Sequence, residues 1–238
     1  MARRRMYADR PGDAAGEPAP GYMPLERGRI LETALKLLDE LGLKDLSMRK
    51  IADDLQVKTA SLYYHVKDKE ELMQLLSDRI CGGMDRIDPS LPWREQLTQW
   101  ANQFRTVLLS RRDAVELFRQ TIANGHERLT QIERLFQCLV SAGFSDCQVP
   151  WLASMVKSFV LGFAEEEARF RARARGFASR EAMNEHDEQA FRLLPEERFP
   201  NMVRLAAVTT STDWEQEFRF GLSVLIDGFA AKLPAGES

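Results

Sequence analysis

Apolar residues recur with a helical period along most of the chain. Ile30, Ala34, Leu37 and Leu38 follow the i, i+4, i+7 and i+8 spacing of one face of an amphipathic helix. Gly42 comes shortly after this face and is typical of a helix C-terminus. Because no segment alternates apolar and polar residues as a half-buried strand does, the pattern predicts an all-α fold.

Three shorter helices are predicted next, each behind a residue that can cap it. The hydroxyls of Ser47 and Thr59 can each accept a backbone hydrogen bond at the start of a short helix. Asp68 and Glu71 form a capping-box pattern, which predicts a fourth helix over residues 69–81. Two short helices about four residues apart are the arrangement of a helix-turn-helix.

Longer helices are predicted in the second half of the chain. Pro92 and Pro150 stand where helices begin, since proline suits the first turn of a helix. Asp213 and Gln216 form another capping-box pattern, which opens the last helix. Residues 172–212 are polar and irregular, and the sequence leaves open whether they form a pocket lid or a short extra helix.

The helix after Pro150 and the last helix are both too apolar to be buried on one side alone. Trp151 and Met155 lie beside the main apolar stripe of the first, and Phe220 and Val224 beside that of the second. Either both helices lie centrally in the monomer, or two from each subunit form a four-helix dimer interface. We favour the dimer, because the terminal helix of a domain is rarely buried all round by its own chain.

Composition excludes one class of nucleic-acid binder. The 238 residues include 33 Lys and Arg against 36 Asp and Glu, which gives a formal net charge of −3. Such a protein does not coat nucleic acid through net positive charge, but a local cationic face is compatible with this total. Lys58, Lys67 and Lys69 outnumber Asp68 around the second short helix, which favours a compact cationic face there.

The remaining general signals concern the N-terminus, the cysteines and membranes. Residues 1–24 are rich in proline and glycine, which predicts a flexible tail. This tail is either a solvated leader or an arm that carries Arg3 to Arg5 into a DNA groove. The three cysteines lack CxxC spacing, which favours reduced thiols in the cytoplasm and no metal site or cofactor. No apolar run reaches the length of a transmembrane helix, so no membrane partner is expected.

The short segment before the fourth helix carries the strongest functional pattern. Leu62 is predicted to anchor the second short helix, whose opposite face then presents Thr59, Ser61, Tyr63 and His65 to solvent. Small polar side chains near a helix start can reach base edges, and tyrosine, histidine and lysine are suited to phosphate contacts. This pattern indicates binding of double-stranded DNA.

The chain resembles the TetR family of bacterial transcriptional repressors over most of residues 25–232. The resemblance to the family's DNA-binding domain rests on ALKLLDELGLKDLSMRKIADDL and ASLYYHVKDKEEL. The resemblance to the C-terminal domain of its tetracycline-repressor branch rests on FRTVLLSRRD, SFVLGFAEEE and FGLSVLIDGF. It implies a homodimer with a helix-turn-helix head at residues 25–70 and a ligand-binding and dimerisation domain at residues 71–234, connected by the fourth helix.

The resemblance also implies which residues of the head contact DNA. By motif position these are Arg49, Thr59, Ala60, Ser61, Tyr63, Tyr64, His65 and Lys69. One departure matters, since the family usually has glycine in the turn where this chain has Gln56. If that turn needs a positive φ, the glutamine costs roughly 1 kcal/mol in strain.

The ligand core departs from the tetracycline-repressor branch. That branch holds a magnesium–drug chelate through a histidine after the LLS-x-RD segment, and the corresponding residue here is Phe118. The resemblance therefore implies a small-molecule effector other than magnesium–tetracycline. The candidate effector-binding residues, with Glu166 acting across the dimer, are Trp100, Phe104, Phe118, Thr121, Ile122, Arg134, Phe159 and Glu166. The alternative is that most of these are ordinary core residues and that Glu165 to Glu167 are a solvated helix face.

The function that follows is a ligand-responsive regulator, a repressor that binds a palindromic operator as a homodimer and is released by a small molecule. A cofactor-free enzyme and a helical protein–protein adaptor are the alternatives. Three scattered histidines and unpaired cysteines supply no nucleophile and base for an enzyme. An adaptor does not need lysine and tyrosine exposed on a short capped helix.

Overall fold

The computed structural model describes residues 26–211 and 213–233, which form twelve α-helices and no strand. This confirms the all-α prediction, whereas the predicted tail at residues 1–24, with Arg3 to Arg5, lies outside the described residues. The helices are α1 (Arg27–Leu41), α2 (Met48–Asp54), α3 (Thr59–Leu62), α4 (Lys69–Cys81), α5 (Trp93–Leu109), α6 (Ala114–Gln120), α7 (His126–Ser141), α8 (Gln148–Ala174), α9 (Arg180–Arg192), α10 (Pro200–Arg204), α11 (Ala206–Thr210) and α12 (Trp214–Ala230).

Helices α1 to α3 form a small bundle around one core. The side chains of Ile30, Ile51 and Leu62 are fully buried in it. Ser47 caps α2 as predicted, since its hydroxyl oxygen accepts a hydrogen bond from the Lys50 N–H at 3.3 Å. Because Leu62 is buried in this core, it anchors α3 on the bundle, and the other side of this short helix faces solvent.

The predicted cap at Thr59 is wrong. Thr59 is the first helical residue of α3, and the N-cap position belongs to Lys58, whose side chain makes no capping bond. The first turn closes through the backbone instead, because the Lys58 carbonyl accepts a hydrogen bond from the Ser61 N–H at 2.8 Å. The helix therefore begins without help from the Thr59 hydroxyl.

Helix α4 covers the predicted range and contacts both halves of the molecule. The Asp68 carboxylate accepts a hydrogen bond from the Glu71 N–H at 2.8 Å, and the Glu71 carboxylate accepts one from the Lys67 N–H at 2.6 Å. This reciprocal cap fixes the start of α4 directly after α3. Because α4 packs against α1 and also against α5, α6 and α7, it connects the N-terminal bundle with the second half.

The second half is built around α5, which packs against α7, α8 and α12. Leu97, Leu139 and Val160 are fully buried between these helices. Helix α8 begins at Gln148, two residues before the predicted start at Pro150. Proline is tolerated there because the first N–H groups of a helix have no acceptor within it.

A buried ion pair holds α5, α8 and α12 together. The Nε of Arg105 on α5 donates to Glu167 on α8 at 2.9 Å, and its Nη1 donates to Glu215 on α12 at 2.8 Å. Arg105 and Glu167 are both buried. Removing either buried charge would leave the other with one partner fewer in the core, so this network fixes the relative positions of the three helices.

Residues 172–212 are more regular than predicted. Helices α9, α10 and α11 lie there and pack against one another, so the alternative of an extra helix holds with three helices instead of one. Ser179 caps α9 by accepting a hydrogen bond from the Ala182 N–H at 3.1 Å. Only Met183 of α9 is buried, which explains why the sequence shows no helical period of apolar residues there.

Within residues 26–211 and 213–233 no helix has both the length and the apolar character needed to cross a membrane.

Candidate DNA interface and effector cavity

The segment from Thr59 to Lys69 forms a polar surface, which we call the recognition surface. The side chain of Tyr64 is 90% exposed and that of Tyr63 is 51% exposed. Ala60 and Lys69 are exposed as well, and the remaining predicted contacts of this segment are half-buried, namely Thr59, Ser61 and His65. The recognition surface therefore offers hydroxyl, imidazole and ammonium groups to a partner outside the monomer.

The cations around the recognition surface are only weakly held. Lys67 and Lys69 are exposed, and the Asp68 carboxylate caps α4 while its other oxygen lies 4.0 Å from the Lys67 ammonium. Arg49 on α2 is exposed and lies 3.9 Å from the Asp53 carboxylate. Solvated pairs of this kind contribute little, so the cations can turn toward phosphate oxygens.

A small cavity of about 50 Å³ lies between α4, α5, α6, α7 and α8, and we call it the effector cavity. Its wall is aromatic, with ring centroids 4.9 Å apart for Trp100 and Phe104 and 5.6 Å apart for Phe104 and Phe118. Burial raises the pKa of the Cys81 thiol in this wall to about 12, so the thiol stays protonated and neutral. Apolar walls with a few polar groups are typical of small-molecule sites.

One guanidinium closes a side of the effector cavity. Arg128 Nη1 donates to Thr121 Oγ1 at 2.7 Å, to Ser77 Oγ at 3.2 Å and to the Ile122 carbonyl at 3.2 Å. Its Cζ lies 4.9 Å from the centroid of the Phe118 ring, within the range of a cation–π contact. Burial lowers the pKa of Arg128, but a guanidinium remains charged at neutral pH.

The structure brings only part of the predicted effector-binding set to this cavity. Trp100, Phe104 and Phe118 line it, and Thr121 and Ile122 contact the guanidinium that closes it.

Three members of that set lie elsewhere. Arg134 donates to the Asp85 carbonyl at 3.2 Å and lines an outer groove beside α7. Phe159 stacks on Phe218 at a centroid distance of 5.5 Å, and Glu166 is exposed on α8. A role for Glu166 therefore depends on a second subunit.

Sequence reasoning missed three polar residues of the cavity wall, namely Arg128, Gln131 and Lys157. On amphipathic helices such residues resemble solvated positions. A signal was present in α7, since Arg128 and Gln131 share the i, i+3, i+7 spacing with Leu135, which is buried. That spacing places both polar side chains on the inward face of α7.

Two family models match the chain. One, described as bacterial regulatory proteins of the tetR family, matches residues 30–76. The other, described as the tetracyclin repressor-like C-terminal domain, matches residues 88–233 and therefore more than half of the chain. The chain belongs to the TetR family. Because this is a family of transcriptional regulators and not of enzymes, the enzyme alternative is dropped.

Similar proteins agree with this assignment. The tetracycline repressor of class E from Escherichia coli is 33% identical over 207 residues, which cover 86% of this chain and 90% of that protein. ActR from Streptomyces coelicolor in complex with actinorhodin has a TM-score of 0.77 at 31% identity, over 88% of this chain and 98% of that chain. BioQ with its natural double-stranded DNA operator has a TM-score of 0.63 at 30% identity, over 87% and 99%.

The turn of the TetR-family helix-turn-helix is left-handed in this chain. Gln56, in the turn between α2 and α3, has a φ of 56°. The positive φ considered from the sequence is thus confirmed, and a side chain in this region carries strain of roughly 1 kcal/mol.

The place of the tetracycline-repressor histidine holds a phenyl ring. Phe118 lines the effector cavity, and its ring has no atom that can ligate a metal. In the parts of the chain that the structure describes, no group of three His, Cys, Asp or Glu side chains is arranged to hold a metal ion. The residues present at this cavity therefore do not fit a magnesium ion.

Two neighbouring helices expose an apolar surface, which we call the α8–α12 face. Trp151 and Met155 stand one turn apart on α8, and Phe220 and Val224 stand one turn apart on α12. Trp151 is 66% exposed and Phe220 is 70% exposed, although α8 and α12 pack against each other. Large apolar side chains exposed on two packed helices indicate an interaction site and fit a four-helix interface in a TetR-family dimer.

Proposed function

We propose that this protein is a ligand-responsive repressor that acts in the cytoplasm as a homodimer on a palindromic DNA operator. In this proposal residues 25–70 form the DNA-binding head, residues 71–234 form the ligand-binding and dimerisation domain, and α4 connects them. A two-fold dimer presents two recognition surfaces, which suits half-sites about 34–36 Å apart in successive major grooves.

The recognition surface carries this proposal, because it combines exposed tyrosines with weakly held cations on a short anchored helix. Lys69 begins α4 next to α3, and its exposed ammonium is placed to bind a phosphate. Small side chains at the start of α3 can approach base edges. The proposed DNA contacts are Arg49, Thr59, Ala60, Ser61, Tyr63, Tyr64, His65 and Lys69.

An effector would act by shifting a population of dimers. The dimer would exist in two states, one with the heads spaced for DNA and one with the heads further apart. A small molecule that binds the second state more tightly increases its population. The size of this shift is limited by the difference in the ligand's affinity for the two states. Helix α4 is the connection, since it contacts the head, the effector cavity and α7. Because Phe118 cannot ligate magnesium, the effector is one other than magnesium–tetracycline.

Two relatives support the two binding functions. ActR is solved with actinorhodin, a small molecule, and BioQ is solved with its double-stranded DNA operator. Both cover more than four fifths of this chain, so the comparison includes the head and the ligand core together.

The test is operator binding by the full-length protein. A duplex is selected from a random library, and its affinity is measured by fluorescence anisotropy at several salt concentrations. Lys69→Ala and Tyr64→Ala change exposed side chains and should each weaken binding about 3- to 30-fold, and Lys69→Ala should reduce the salt slope by about 1. Lys232→Ala removes an exposed lysine beyond α12 and is the matched control.

Two results would contradict the proposal. One is that no duplex is selected at all, and the other is that Lys232→Ala weakens binding as much as Lys69→Ala does. The same assay with magnesium–tetracycline should leave the complex intact, and release of the duplex would refute the argument from Phe118.

A further inference from the structure

Arg128 brings a charge into the wall of the effector cavity that no carboxylate of the described residues neutralises by an ion pair. All acceptors of its guanidinium in the described residues are neutral oxygens, on Ser77, Thr121 and Ile122. The nearby Asp78 carboxylate accepts a hydrogen bond from the backbone N–H of Arg128 instead, at 2.9 Å. The guanidinium therefore keeps a positive charge that is free to pair with an anion, and this charge is screened less here than at the surface.

Two side chains that line the same cavity each have a buried polar atom without a hydrogen-bond partner in the described chain. Trp100 Nε1 and Gln131 Oε1 are both buried without a hydrogen bond, in side chains that are 4% and 3% exposed. Buried polar atoms are normally hydrogen-bonded, so one donor and one acceptor left open at one cavity point to ligand atoms. Lys157 lines the cavity as a second cation, and its lining includes no acidic residue.

We propose that the effector is a planar aromatic anion whose carboxylate or phenolate binds Arg128 and whose rings lie against Trp100, Phe104 and Phe118. This rests on the proposed function, because it names the ligand class of the effector cavity. Trp100 Nε1 and Gln131 Oε1 then serve polar substituents on the rings. Ligand pockets usually measure about 300–1,000 Å³, so such a ligand has to push the walls of the cavity of about 50 Å³ apart.

The same guanidinium connects the cavity with α4. Arg128 holds Ser77 on α4 and Thr121 at the end of α6 through hydrogen bonds to uncharged hydroxyl oxygens. A carboxylate or phenolate in the cavity adds the attraction of opposite charge and can take two parallel N–H bonds, so it competes successfully for these donors. Turning the guanidinium toward the anion removes its bond to α4, which begins at Lys69 in the recognition surface.

The experiment compares aromatic acids with their own carboxamides. Benzoate, 2-naphthoate and anthracene-2-carboxylate, each paired with its amide, are titrated calorimetrically into the full-length dimer. At least one acid should bind about tenfold more tightly than its amide, and its addition should weaken operator binding. Arg128→Gln should bring the acid-to-amide ratio to about one.

The control variant is Arg134→Gln, which removes an arginine from the same helix outside the cavity and should keep the full preference. If Arg128→Gln does not fold, the exposed Lys157→Gln decides, with an expected loss of preference of about threefold.

Equal binding of acids and amides overturns the inference, and so does the absence of binding by every acid. A preference that survives both Arg128→Gln and Lys157→Gln also overturns it. Ligand-free operator binding is measured on the same samples. If it is normal, the failure concerns the anion alone and leaves the proposed repressor function standing.

Discussion

At the scale of single residues, Gln56 is where backbone strain is clearest. Its φ of 56° is left-handed, and its side chain is exposed, so little packing offsets the cost. Glycine removes this strain of roughly 1 kcal/mol but loses about 0.5–1 kcal/mol through a more flexible unfolded chain. We expect Gln56→Gly to raise the free energy of unfolding by up to about 0.5 kcal/mol, measured by urea denaturation.

Gln99 offers the matched control for that change. It is an exposed glutamine in the middle of α5, where the backbone is helical and glycine costs about 1 kcal/mol. The same substitution should therefore act with opposite signs at the two positions. A loss of stability at Gln56 equal to that at Gln99 would show that the turn is not strained.

The two candidate sites differ in how far single residues could be predicted. The recognition surface could be predicted from the sequence, because a buried Leu62 surrounded by exposed polar residues is a pattern within one short helix. Arg128 and Gln131 were not recognised, since whether a polar side chain on α7 faces solvent or a cavity depends on the helices packed against it. The sequence of α7 alone does not contain that information.

At the scale of elements, the contact between α4 and α7 depends on a glycine. Gly125 is the N-cap of α7 and has no capping side chain, and Asp78 of α4 accepts the Arg128 N–H in its place. A Cβ on Gly125 would lie 2.2 Å from the Asp78 carboxylate. We expect Gly125→Ala to displace this cap and to lower the free energy of unfolding by about 1–2 kcal/mol in denaturant titrations.

Gly28 provides the comparison for this contact. It lies in the first turn of α1, and a Cβ added to it would meet no atom within 4 Å, so alanine there should stabilise the helix by up to about 1 kcal/mol. Opposite signs are expected from the same chemical change. If Gly125→Ala also stabilised the protein, Asp78 would not be holding α4 against α7.

Element boundaries were predictable where a side chain makes the cap. The start of α4 follows directly from Asp68 and Glu71, which bind backbone groups within four residues. The start of α3 was misplaced, because a backbone bond from Ser61 closes its first turn and leaves no trace in side-chain chemistry. No bounds could be predicted for α9, which was open as one of two alternatives, because this helix buries Met183 alone.

At the scale of the whole molecule, the net charge of −3 and the recognition surface are compatible because the charges are segregated. In the proposed complex the cations of the recognition surface meet DNA, while acidic groups elsewhere, including Glu167 and Glu215, are bound to Arg105. A single small surface of this kind binds DNA weakly. Selective binding at a palindrome therefore requires two copies at fixed spacing, and the dimer interface becomes part of the DNA site.

That dependence gives the prediction for the α8–α12 face. Phe220 is largely exposed in the monomer, so Phe220→Glu should not disturb the fold but would bury a charge in the dimer. We expect the dimer dissociation constant to rise more than about 30-fold by sedimentation velocity, with operator binding lost in parallel. Val140→Glu places the same charge on an exposed valine of α7 and should leave the dimer intact. A Phe220→Glu protein that remains dimeric, or a Val140→Glu protein that dissociates equally, would place the interface elsewhere.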